Sequence, residues 1–147
     1  MTFDKKILIV EDNPDALEYI ADTFICEVLG EPESAQSHDD PVQALRQRGV
    51  DVATTYADAE RYVQENVYDA VFLDHNLPRA NNKFSESIGY GLISVIRNKN
   101  PNTMIIGTSS MPPEALNNFD KPDHQINKVG EELEIILKDV LAKDSVP

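Results

Sequence analysis

The chain has little with which to build several classes of protein. One cysteine, Cys26, stands among 147 residues, so no internal disulfide framework can form; the thiol is expected to pack in the first helix. Basic residues are scarce, 13 Lys and Arg against 26 Asp and Glu, for a net charge of -13. That balance argues against non-specific binding to nucleic acid, whose backbone is gripped by basic side chains. It reads instead as a solvated acidic exterior that aids solubility. No apolar run approaches the ~20 residues of a membrane span. Met1-Thr2-Phe3-Asp4 leads straight into the first apolar run, so no signal peptide is expected. A soluble cytoplasmic protein is expected, with no membrane partner. Zinc-ligand Cys/His spacing, a P-loop and a G-x-G-x-x-G run are all missing.

What is present is a set of short apolar runs, each ending in a polar cluster. Ile7 to Val10 runs into Glu11-Asp12, Ala70 to Leu73 into Asp74, and Met104 to Gly107 into Thr108-Ser109-Ser110. Short apolar runs separated by helical patterns mark buried parallel strands. In open α/β sheets the ligand crevice lies beyond the carboxyl ends of such strands. Three carboxylates and a hydroxyl gathered there would suit a hard cation and a phosphoryl group. Crowded carboxylates repel one another, and a divalent cation relieves that repulsion.

The remaining pattern fits alternating helices and strands in one domain over residues 1–147, large enough to bury a core. Asn13-Pro14-Asp15 opens a first helix, with Asn13 or Asp12 as its cap and Leu17, Ile20, Ala21, Phe24 and Val28 on its buried stripe. Gly30 to Asp40 reads as a polar loop, and Pro41 to Gly49 as a short extra helix closed by the glycine. Val50 to Thr54 suits a second strand, Ala57 to Asn66 a second helix, and Tyr68 to Leu73 a central third strand. Arg79 to Tyr90 is a long polar stretch without clear periodicity. A third helix is expected from Gly91, with Leu92, Val95 and Ile96 inward. Pro112-Pro113 and Lys121-Pro122 leave a fourth helix short or irregular. His124 to Asn127 is expected as a short fifth strand, and Gly130 to Lys143 as the last helix, with Leu133, Ile136, Leu137, Val140 and Leu141 inward. So few residues follow that no output domain is expected.

Lys5-Lys6-Ile7-Leu8-Ile9-Val10-Glu11-Asp12-Asn13, followed by Asp69-Ala70-Val71-Phe72-Leu73-Asp74-His75-Asn76-Leu77-Pro78, resembles the receiver (CheY-like) domain of two-component response regulators. The resemblance runs in order over most of the chain. It implies a flavodoxin-like (βα)5 fold, a doubly wound five-stranded parallel sheet of order 2-1-3-4-5, with an insertion between the first helix and second strand and an irregular fourth helix. It also implies Asp74 as phosphoacceptor. Mg2+ would be bound directly by Asp12 and Asp74 and by the backbone carbonyl of Asn76, with Glu11 acting through a water. Ser109 aligns with the Ser/Thr that hydrogen-bonds the phosphoryl oxygen; Thr108 is the alternative, since strand alternation turns only one of them to the site. Ser110 would then control access to Asp74.

Lys128 stands where a receiver's lysine belongs, able to pair with Asp74 or a phosphoryl oxygen, and Lys121-Pro122 reads as a turn. Val129 follows Lys128 where the family commonly has proline. His75 is expected at the rim of the site. Asn76 could order the hydrolytic water and so set the lifetime of the signal. Tyr56, Tyr62, Tyr68 and Tyr90 read as packing residues.

The implied function is phosphorylation of Asp74 and signalling through protein contacts in a two-component or phosphorelay system. The donor would be a sensor histidine kinase or phosphotransfer protein and the receiver of the signal a downstream protein, with no direct role for nucleic acid. Such a chain catalyses only its own phosphorylation and dephosphorylation. Gln125 stands in the place of the family's switch aromatic, so a receiver-fold interaction module with a vestigial or phosphorylation-independent site is the alternative. An Asp-nucleophile phosphatase is disfavoured, because those enzymes place a second Asp two residues after the first, where this chain has Asn76.

Overall fold

Three apolar strands lie side by side in the middle of the computed structural model, which describes residues 5–32, 40–108, 120–126 and 131–142. β1 (Ile7–Val10) and β3 (Ala70–Leu73) are buried at every position, as strands covered on both faces must be. β1 pairs in parallel with β2 (Val50–Ala53) on one side and β3 on the other. β3 pairs with β6 (Met104–Gly107), and β6 with β7 (His124–Gln125). The sheet order is β2-β1-β3-β6-β7, all parallel. Counted within this sheet, that is the expected 2-1-3-4-5.

Strand alternation sorts the core into two layers. Ile7, Ile9 and Phe72 face one side, with Leu17, Ile20 and Phe24, with Leu45, and with Leu133 and Leu137. Leu8, Val10, Val71 and Leu73 face the other, with Ala59 and Val63, and with Leu92, Ile93 and Ile96. The first layer is built by α1 (Pro14–Asp22), α2 (Pro41–Arg46) and α5 (Glu131–Ala142), the second by α3 (Tyr56–Glu65) and α4 (Ile93–Lys99). Among the described residues no helix is long and apolar enough to cross a membrane.

The first helix continues beyond α1 as a π-helical segment, Thr23–Val28. The Leu29 amide donates to the Phe24 carbonyl at 3.0 Å, and the Thr23 hydroxyl to the Tyr19 carbonyl at 2.9 Å. The wider turn keeps Phe24 and Ile25 both fully buried, and Phe24 meets Phe72 edge-on at 5.8 Å. Cys26 sits in this segment, partly buried against the same layer. The extra helix forms as expected: the Asp40 carboxylate accepts from the Gln43 amide at 3.0 Å, Pro41 occupies the first turn, and Gly49 takes φ +84° beyond the end.

Three expectations change. Arg79 to Tyr90 is not an irregular loop. Asn76–Pro78 (β4) and Ser85–Ser87 (β5) pair as an antiparallel hairpin, whose turn holds Asn82 at φ 66°. A 3-10 turn, Gly89–Leu92, then leads into α4, which begins at Ile93 and not at Gly91. Three-residue strands, one of them wholly exposed, carry too few side chains to show a period. The fifth sheet strand, His124–Gln125, stops before Ile126, and Asn127 of the expected span lies outside the described residues. The fourth-helix region falls outside the described residues, as do the side chains of Val140 and Leu141.

Candidate functional site

The chain steps from β1 to β2 on one side and to β3 on the other, so the order reverses at β1. The crevice beyond the carboxyl ends of β1 and β3 is therefore where a ligand fits. The turn out of β1 is held by its own polar groups. The Glu11 amide donates to the Ala53 carbonyl at 3.0 Å, and the Glu11 carboxylate accepts from the amides of Asp12 and Asn13, both at 3.1 Å. Asn13, not Asp12, caps α1, its side-chain oxygen accepting from the amides of Asp15 at 2.9 Å and Ala16 at 3.1 Å. With capping done by Asn13, the Asp12 carboxylate is available to the crevice.

Asp74 continues the ladder from β3. Its amide donates to the Val10 carbonyl at 3.1 Å, and its carboxylate accepts from the Asn76 amide at 3.2 Å. Glu11 and Asp74 are each 1% exposed, and Asp12 is partly so. One carboxylate oxygen from each of Glu11, Asp12 and Asp74 lies within 4.8 Å of the others. Three oxygens so close, on two buried strand ends, fit a hard divalent cation. Thr108 is buried beside them, its amide donating to the Leu73 carbonyl at 3.0 Å. Ser109, Ser110 and Lys128 lie outside the described residues. Lys121 is exposed, and its carbonyl accepts from Arg97 at 2.8 Å, consistent with a turn.

One residue behaves differently from its reading in the sequence, and its neighbours show a contact that the reading lacked. His75 is fully buried rather than at the rim. Its Nδ1 accepts from the Tyr90 amide at 3.0 Å, so no proton sits on that nitrogen. Burial pushes its pKa below the ordinary value, against the opposing pull of the Asp74 carboxylate. Tyr90 is fully buried against it, ring centroids 4.5 Å apart and tilted by 40°. The Tyr90 hydroxyl donates to Gln125 Oε1 at 2.6 Å. So an aromatic does reach the fifth sheet strand, but from the segment after the hairpin.

Two glycines permit this packing. A Cβ at Gly89 would collide with the Asp74 carbonyl, and one at Gly107 with the Tyr90 hydroxyl and Gln125. Nothing in the local sequence links Tyr90 to Gln125, 35 residues away.

No protein-family model and no curated protein matches the sequence. Solved structures do. The chain superposes on the receiver domain of a sensor histidine kinase from Pseudomonas aeruginosa PAO1, with a magnesium ion coordinated in its active-site cleft, at TM-score 0.63 and 21% identity, covering 93% of this chain and 97% of that one. It is similar to the BeF3-activated DrrB receiver domain at TM-score 0.62 and 20% identity, covering 96% and 98%. A CheY-like receiver domain from Methylobacillus flagellatus matches at 0.56 and 24% identity, covering 92% and 98%. The protein has the fold of the CheY-like receiver domains.

Proposed function

We propose that this chain is a response-regulator receiver that accepts a phosphoryl group on Asp74 in a Mg2+-dependent reaction and signals through protein contacts. The observation that carries the reading is the convergence of Glu11, Asp12 and Asp74 at the reversal point of a receiver-fold sheet. Asp12, Asp74 and the Asn76 carbonyl would hold Mg2+ directly, and Glu11 through a water. The cation would neutralise charge on the carboxylates and on the incoming phosphoryl oxygens. The residues supply position. β3 fixes Asp74 so that a carboxylate oxygen can form the new P–O bond as the donor's P–N bond breaks. The electron pair of that bond leaves with the nitrogen, which departs protonated. Ser109, or Thr108 in its place, would hydrogen-bond the transferred group, and Lys128 would pair with it. Attack by water on phosphorus regenerates the carboxylate and releases phosphate.

The donor in this reading is a sensor histidine kinase or phosphotransfer protein in the cytoplasm, and the signal passes to a downstream protein. The chain works on itself rather than turning over other substrates. Tyr90 gives the change at Asp74 a route outward. It packs on His75, next to Asp74 in the chain, and ends on Gln125 at the edge strand. Intact-mass measurement after incubation with phosphoramidate and Mg2+ tests the reading. One phosphoryl group on the wild type and none on Asp74→Asn is the expected result. No adduct on the wild type, even with a panel of phosphorylated histidine phosphotransfer proteins as donors, would favour the phosphorylation-independent interaction module.

A further inference from the structure

The β4–β5 hairpin is held at both ends. Leu77 is fully buried, the Arg79 carbonyl accepts from the Ala57 amide at the start of α3 at 2.9 Å, and the amides of Ile88 and Gly89 donate to the His75 carbonyl at 3.0 and 2.8 Å. Along β5, alternation puts Ser85 and Ser87 on one face and Glu86 on the other. Glu86 pairs with Arg79 across the hairpin at 3.1 Å. Both serines instead meet residues of the carboxylate site. The Ser85 hydroxyl donates to Asp12 Oδ2 at 3.2 Å, across 73 residues of sequence. The Ser87 hydroxyl donates to Asn76 Oδ1 at 3.0 Å, from the position directly opposite in the ladder.

We infer that Ser85 and Ser87 are positioning residues of the cation and phosphoryl site, supplied by this hairpin: Ser85 orients the Asp12 carboxylate for a divalent cation, and Ser87 orients the Asn76 amide beside Asp74. The inference rests on the function proposed above. A carboxylate on a partly exposed turn rotates, and binding a cation must stop that rotation. A hydrogen bond to Oδ2 fixes the plane of the group beforehand and leaves the other oxygen for the metal. Outer hydrogen bonds of this kind commonly change metal affinity by about 10- to 100-fold. Ser87 acts on the other function. With Oδ1 engaged by the hydroxyl, the Nδ2 end of Asn76 is the donor left to meet a phosphoryl oxygen or the attacking water.

The test is Mg2+ binding to the full chain by titration calorimetry, with phosphoryl-adduct lifetime as a second readout. Ser85→Ala is expected to weaken Mg2+ about ten-fold, with an unchanged thermal midpoint because the serine is exposed. Ser85→Thr, which keeps the hydroxyl, should restore the affinity. Ser87→Ala should leave Mg2+ affinity within about two-fold and change the adduct lifetime at saturating Mg2+ by several-fold. Wild-type Mg2+ affinity in Ser85→Ala, or a wild-type lifetime in Ser87→Ala, overturns the corresponding role. Failure of the wild type itself to bind Mg2+ or to take a phosphoryl group overturns the proposed function, and the inference with it. Those two failures are distinct.

Discussion

Two segments extend this receiver fold, and they attach at opposite ends of the sheet. Residues 31–49 connect α1 to β2, a helix-to-strand link, and so enter at the amino edge. Residues 76–92 connect β3 to α4, a strand-to-helix link, and so leave from the carboxyl edge, where the site lies. Their contacts differ accordingly. The first segment adds Ala44 and Leu45 to one core layer and is tied down by Arg48, which meets the Glu31 carboxylate at 2.8 Å. Its described side-chain hydrogen bonds join Asp40 to Gln43, Arg48 to Glu31 and to the Ala44 carbonyl, and Arg46 to the Val52 carbonyl. The second touches Asp12, the Asp74 carbonyl, His75 and Gln125. What an added segment can do to the chemistry is decided by which end of a strand it follows.

Substitutions sharpen the contrast, and the largest effect falls at Gly89. Its backbone packs on the Asp74 carbonyl with no room for a Cβ. Gly89→Ala should destabilise by about 3 kcal/mol or more in urea unfolding and also lower the yield of phosphoryl adduct, since the backbone of Asp74, the proposed phosphoacceptor, must shift. Leu45→Ala, on the other segment, should cost a similar ~3 kcal/mol by emptying part of the core layer. Its folded fraction should keep wild-type Mg2+ affinity. If Leu45→Ala instead weakened Mg2+ binding, the separation of the two segments would fail.

Tyr90→Phe is gentler. It removes the hydroxyl that reaches Gln125 but keeps the ring on His75, and about 1 kcal/mol of stability should go with it. The informative readout is NMR. In the wild type the Gln125 side-chain amide should shift when BeF3 and Mg2+ occupy the site, and in Tyr90→Phe that shift should shrink while signals near Asp74 still move. An undiminished Gln125 shift would rule out Tyr90 as the route.

The smallest effect concerns the amino-edge clamp. The hydrogen bond from Arg48 holds the Glu31 carboxyl below its ordinary pKa of 4.5. A carboxyl depressed on folding contributes stability that is present above 4.5 and lost as pH falls through the lower native value. Glu31→Gln should therefore lower stability slightly near neutrality, leave it unchanged in acid below the native value, and so flatten the acid limb of the stability curve. Urea midpoints compared at about pH 3 and about pH 7 would check this.

The parts legible in the sequence were those whose cause is local. Ile7 to Val10 and Ala70 to Leu73 advertise buried strands because both faces are covered, and the acids follow immediately where a strand must end. Asn13-Pro14 marks a helix start with its own side chain, and Asp40-Pro41 does the same for the extra helix. The hairpin was not legible because Ser-Glu-Ser is a strand only through its partner Asn76-Leu77-Pro78, across a turn that depends on Asn82 at positive φ. The π-helical continuation was hidden because Phe24 and Ile25 are apolar at neighbouring positions and fit an ordinary helix almost as well. The Tyr90–Gln125 bond is tertiary, made possible by the bare backbone of Gly107, and no local pattern announces it. The acidic part of the site was therefore readable, and the residues that orient it were not.

Asp74 is the proposed acceptor of the phosphoryl group. The most direct test is to phosphorylate the wild type with phosphoramidate and Mg2+, trap any acyl phosphate by borohydride reduction, and locate the modified residue by peptide mass mapping. A single reduced site is expected, position 74 reading as homoserine, dependent on Mg2+ and lost in Asp12→Asn. Trapping at another carboxylate, or equal trapping with the cation removed, would contradict it.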